Sequence, residues 1–169
     1  MTGPQVLVRE SEEERRKALT PSPDMGWFLL GAVGLVFFGV GLFDVVLAWY
    51  PLNFGNPEYE FATYSQVMNF LPLPVLGLAM FLAGGVARGI KWVPRFVAVV
   101  LVLMVVGILA GAVLYATNVP LALKAIKEPV ILTGLKKQIF KTAFQSVVYP
   151  LLLVYVSVKA WRHATAAAR

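Results

Sequence analysis

Apolar residues gather in four long runs, Gly26–Trp49, Pro72–Ala87, Phe96–Thr117 and Ile139–Val158, separated by shorter polar intervals. An α-helix rises about 1.5 Å per residue and the hydrocarbon core of a bilayer is about 30 Å thick, so roughly 20 apolar residues cross it. Three of the runs reach that length, and the second does so once Phe70 and a snorkelling Arg88 are included. The pattern predicts an all-α integral membrane protein with four transmembrane helices in a small bundle, at about 26–49, 71–88, 95–117 and 139–159. This transmembrane domain, residues 25–161, is flanked by a polar tail over 1–24 and a basic tail over 162–169.

The intervals carry structure of their own. Asn56, Pro57, Glu58 and Glu60 form a helix-start signature of N-cap, first-turn proline and first-turn acids. Phe61, Tyr64, Met68 and Leu71 then share a face, which predicts an amphipathic helix lying on the outer membrane surface. In the second outer loop, Lys124, Lys127 and Glu128 oppose Leu121, Ala122, Ala125 and Ile126. The helix ends Val46–Leu52 and Val113–Leu121 resemble each other, and each is followed by a proline-containing return helix and a basic tryptophan cluster. Two same-orientation hairpins, a 2+2 arrangement, would explain this; so would convergence of membrane-helix ends. Before the first run, Ser11–Glu14 is a capping-box pattern followed by Arg15, Arg16 and Lys17 and broken at Thr20–Pro23. It reads as a mixed-charge leader, with a docking tail as the alternative. No cleavable signal is expected, and the first run reads as an uncleaved anchor.

Composition agrees with lipid as the solvent: 59% of residues are hydrophobic and 14% charged. The net charge of +6 is assigned to positive-inside anchoring rather than to nucleic acid. Counting Lys and Arg on each side gives ten against five in favour of both termini facing the cytoplasm, in a plasma (inner) membrane. Lys91–Trp92 and Trp161–Arg162 serve as matched interfacial anchors at the inner ends of the second and fourth helices.

The chemistry within the spans is sparse. There are no cysteines, and the only histidine is His163, so thiolate metal sites, disulfides and bis-histidine haem are excluded. No cofactor, metal or catalytic residue is expected, because Asp44 is the sole acid inside a span and Glu58 and Glu60 do not face each other on a helix. Asp44 and Lys141 lie at matching depth, about 27 Å from the inner boundary. Lys137, Lys141 and Gln145 form an i, i+4, i+8 stripe. An Asp44–Lys141 pair inside the bundle is therefore expected, with outward snorkelling of Lys141 as the alternative. Glu58 and Glu60 against Lys124, Lys127 and Lys136 suggest an electrostatic cap, or a surface for anionic headgroups or an acidic protein. Gly107 and Gly111 form a GxxxG, and Gly34 and Gly41 a second small-residue face, both suited to helix packing. Pro150 is expected to kink the fourth helix.

These features point to a non-catalytic accessory or structural subunit, or a scaffold, of a membrane complex. Its partners would be membrane lipids and other membrane subunits or a second copy, with no nucleic acid. The alternative is a small oligomeric transporter or channel using Asp44 and Lys141. The charge count predicts that a reporter fused after Arg169 is active only in its cytoplasmic form; an extracytoplasmic signal would overturn the orientation.

Overall fold

Proline marks where the helices begin. In the computed structural model, which describes residues 23–125 and 129–166, five helices form: α1 (Pro23–Ala48), α2 (Pro57–Phe70), α3 (Pro72–Ala87), α4 (Val93–Ala125) and α5 (Pro129–Ala166). Four start on proline, and α4 has Pro94 as its second residue. A first-turn proline forfeits no hydrogen bond, because those N–H groups have no intrahelical acceptor. Asn56 caps α2 as its sequence position implies, its Oδ1 accepting from the backbone N–H of Glu58 at 3.0 Å and of Tyr59 at 3.3 Å. The return from α3 to α4 is a Schellman turn: Gly89 takes φ of +68°, its N–H donates to Val86 O, and Ile90 N–H donates to Gly85 O.

The protein is all-α, with four spans long and apolar enough to cross a membrane: Asp24–Ala48, Pro57–Ala87, Val93–Lys124 and Pro129–Ala166. Its surface is inverted relative to that of a water-soluble protein. Phe140 is 77% and Leu151 68% exposed, whereas Thr142 is 0% and Ser157 6% exposed. Apolar side chains cost nothing against lipid, while polar ones must find partners inside.

Three features differ from the expected ones. The third span continues through Pro120 to Ala125, so the start of the second outer loop extends α4 instead of forming a separate surface element. The fourth starts at Pro129 rather than near Ile139 and runs unbroken past Pro150. At 33 and 38 residues, α4 and α5 are about 50 and 57 Å long, so tilt or projecting ends must absorb the excess over the bilayer. The third difference is α2. Its Phe61–Tyr64–Met68–Leu71 face is buried as the periodicity implies, but against neighbouring helices rather than a membrane surface. The leader over 1–22, Lys127 and Arg169 lie outside the described residues.

Two hairpins make up the bundle. α1 packs along α3 and α4 along α5, while α2 touches all four other helices. Among the described residues, no Cα of α1 comes within 8 Å of α4 or α5, and none of α3 within 8 Å of α5. The α1–α3 seam is backbone on backbone: a Cβ on Gly34 would meet Gly77 O at 2.6 Å and Phe81 N at 2.7 Å, and one on Gly84 would meet Trp27 O at 2.6 Å. Arg88 lies over the Phe28 ring at 5.2 Å, which brings the start of α1 to the end of α3. His163 near the end of α5 lines a hollow with Gly89 and Lys91, so the first and last described residues lie at the same, basic end.

Gly34→Ala should therefore lower thermal stability in detergent by about 1–3 kcal/mol, because backbone cannot move aside for the methyl group. Gly39, with nothing within 4 Å of its would-be Cβ, should accept alanine with no loss or a gain of about 0.5–1 kcal/mol. Equal melting of the two variants would contradict the seam.

Candidate functional site

At the end opposite the basic one, α2 wedges between α4 and α5 and carries polar side chains into the core. Thr63, Tyr64 and Ser65 are all buried. The Tyr64 hydroxyl lies 3.1 Å from the carbonyl oxygen of Ile108 on α4 and 2.8 Å from Ser146 Oγ on α5. Ser146 Oγ also reaches the Thr142 carbonyl at 2.7 Å. Two hydroxyl protons thus serve three contacts, so the protons have alternative arrangements. Beside them, Gln138 Nε2 donates to Thr142 Oγ1 at 3.3 Å, and Thr142 Oγ1 to Ser65 Oγ at 3.4 Å. The Tyr115 ring stacks on Phe61 at 4.8 Å and tilts against Tyr64 at 5.2 Å. Its buried hydroxyl faces Ser65 and Thr142 without closing a hydrogen bond among the described residues, and Gln145 Oε1 is likewise buried without a donor among them.

Tyr64 also separates this network from an apolar cleft of about 490 Å³. The cleft opens between α1 and α4, with Phe38 and Val45 on one wall, Gly107 and Met104 on the other, and Tyr64 and Met68 as floor. Gly111 admits the Tyr64 ring, since a Cβ there would fall 2.5 Å from Tyr64 Cε2. Gly107 has open space instead, so the two glycines of the GxxxG do different jobs: one is a notch, the other leaves room in the cleft. Trp49 closes one end, with its ring 5.5 Å from Phe54 and 6.4 Å from Tyr59. The Tyr59 hydroxyl donates to the Trp49 carbonyl.

The structure does not bring Asp44 and Lys141 together, which corrects the expected pair. Their helices α1 and α5 do not approach, and Lys141 Nζ instead donates to Asn69 Oδ1 of α2 at 2.7 Å. Asp44 is partly exposed and has no side-chain hydrogen bond or ion pair among the described residues. Lys137 is exposed, and Gln145 belongs to the α5 face near the network. Among the described residues no lysine meets Glu60, which accepts from Gly55 N–H at 2.8 Å and from Asn118 Nδ2 at 2.7 Å, so an amide ties the start of α2 to α4, while Lys127 of the expected cap lies outside the described residues. Glu58, Lys124 and Lys136 are exposed. Gly34 sits in the α1–α3 seam, and Gly41 faces Pro74 there. Trp92 packs edge-on against Phe96 and tilted against Phe81, while Trp161 and Arg162 border a hollow of about 410 Å³ on the α4–α5 face.

Sequence reasoning missed Ser65, Asn118, Gln138, Thr142 and Ser146. The signal was present, displaced by one position: Gln138, Thr142 and Ser146 have the same i, i+4, i+8 spacing as the chosen Lys137–Lys141–Gln145 stripe. A step of one residue turns about 100° on a helix, enough to exchange the buried face for the exposed one.

Chemically, the network consists of neutral hydroxyls and amides. Among the described residues no three His, Cys, Asp or Glu side chains gather, and His163 lies at the far end of α5. This arrangement holds three helices in register. Comparison with known proteins returns no match to a family model, a curated protein or a solved structure.

Tyr64→Phe should cost about 0.6–1.7 kcal/mol, the range of hydrogen bonds between membrane helices. Tyr115→Phe should be neutral or stabilising, because its hydroxyl has no partner to lose. Thermal melts of the two single variants in one detergent check the contrast.

Proposed function

We propose that this multi-pass membrane protein is a non-catalytic module, an accessory or structural subunit or scaffold of a membrane complex. Asp44 carries the reading. It is the one carboxylate within an apolar run, it is partly exposed, and it is unpaired among the described residues. A charged side chain near the bilayer centre costs about 2.5–3.5 kcal/mol on insertion scales, less toward the interface, and a cation or donor on a neighbouring protein relieves that cost. α1 can present it, since its contacts within the chain are to α3 and α2 and its remaining faces are exposed. The lateral cleft beside α1 supports the same reading, as a recess for apolar groups of a partner or lipid. The transporter alternative loses one of its supports, a site shared by Asp44 and Lys141, since Lys141 meets Asn69 instead.

Native mass spectrometry of wild-type and Asp44→Asn protein, extracted from the source membrane in mild detergent, tests the proposal. The wild type should retain a reproducible larger assembly, and the variant should lose roughly tenfold or more in its abundance, the worth of one hydrogen bond to a charged group. The variant monomer should melt like the wild type. A wild-type monomer, or an assembly indifferent to the substitution, would overturn the assignment.

A further inference from the structure

The basic end contains a second recess. α3 and α5 stay apart there, and the first turn of α4 fills the floor between them through Pro94. Two adjoining hollows result, of about 240 and 200 Å³, which share Val86, Pro94 and His163. The first runs along Leu82 and Val156 and is flanked by Lys159, whose ammonium lies 5.7 Å from the Tyr155 ring. The second ends on Lys91, beside Gly89 and His163. An apolar trough thus has Lys159, His163 and Lys91 along its walls. Asp24 is the described acid at this end, and it stands on α1, which does not approach α5.

That distribution selects the occupant. A flexible hydrocarbon chain fits a trough of this kind, and basic recesses between helices suit acidic lipid headgroups. We propose that the α3–α5 groove binds one anionic phospholipid, with its phosphate on Lys91, Lys159 and His163 and an acyl chain along Leu82, Val86 and Val156. The site is independent of the Asp44 surface, which lies toward the other end of α1. Lys91 and Lys159 thereby act as ligands of a particular lipid as well as general interfacial anchors.

The test is a titration of delipidated protein with phosphatidylglycerol or phosphatidylcholine, read by native mass spectrometry. One phosphatidylglycerol should be retained in clear preference to phosphatidylcholine. Replacing both Lys91 and Lys159 by Gln should weaken it roughly ten- to thirtyfold, from the usual worth of two basic side chains near an anionic headgroup. Lys136→Gln with Lys137→Gln removes the same charge at the other end and should leave binding unchanged. Val86→Trp changes no charge and should reduce binding by filling the trough. An equal loss from both lysine pairs would reveal diffuse attraction and overturn the site. Glycerol phosphate binding as tightly as the intact lipid would also overturn it, because the chain would then contribute nothing. Melting curves matched to the wild type establish that the variants are folded, and the two lysine pairs decide the matter even if Val86→Trp is not.

Discussion

The rest of the bundle depends on how α2 is held. In a bilayer a buried polar group cannot turn to water, so each one must be answered by another helix. Tyr64 meets that constraint for two neighbours at once, reaching the backbone of α4 at Ile108 and the side chain of Ser146 on α5. Its ring, seated in the notch at Gly111, is also the floor of the lateral cleft. One side chain therefore sets the position of α2, fastens it to the α4–α5 hairpin and shapes the lateral apolar cleft.

The two hairpins are joined by different means. α1 and α3 approach through glycines until backbone meets backbone, which needs no polar chemistry and tolerates little change. α4 and α5 instead share a hydroxyl contact to a main-chain carbonyl, Ser157 to Ala98 O at 3.1 Å, while α2 fills the remaining gap. Because α1 is spent on α3, it never reaches α4. The cleft follows from that, as does an Asp44 unpaired among the described residues, and both lie on the surface proposed for a partner. The groove at the basic end has a parallel origin, since α3 in turn never reaches α5.

Much of the candidate site was legible only in part. The Asn56 cap and the Phe61–Tyr64–Met68–Leu71 face are local patterns, and both are present. What they pack against was not legible, because an amphipathic face reports that burial occurs and not which surface provides it. The polar stripe of α5 was displaced by one residue for a related reason. Charge made Lys137 and Lys141 conspicuous, yet long cationic side chains can reach the surface from many positions, whereas Thr142 and Ser146 can only bond what lies beside them. The Asp44–Lys141 pair failed on the same ground: equal depth along two helices does not make them neighbours.

By itself the sequence determined the number of spans, the all-α class, the capped, proline-marked start of α2 and the small-residue faces that permit close approach. Each is set by the length, hydropathy or local sterics of a contiguous segment. Tertiary structure alone decided that α2 lies between helices rather than on a surface, that Glu60 answers Asn118 and Lys141 answers Asn69, and that α1 leaves Asp44 without a side-chain partner among the described residues. Those outcomes depend on which helices touch. Lipid, being as apolar as the side chains themselves, gives helices little hydrophobic preference for one another; the choice passes to small-residue contacts and hydrogen bonds between residues far apart in the chain.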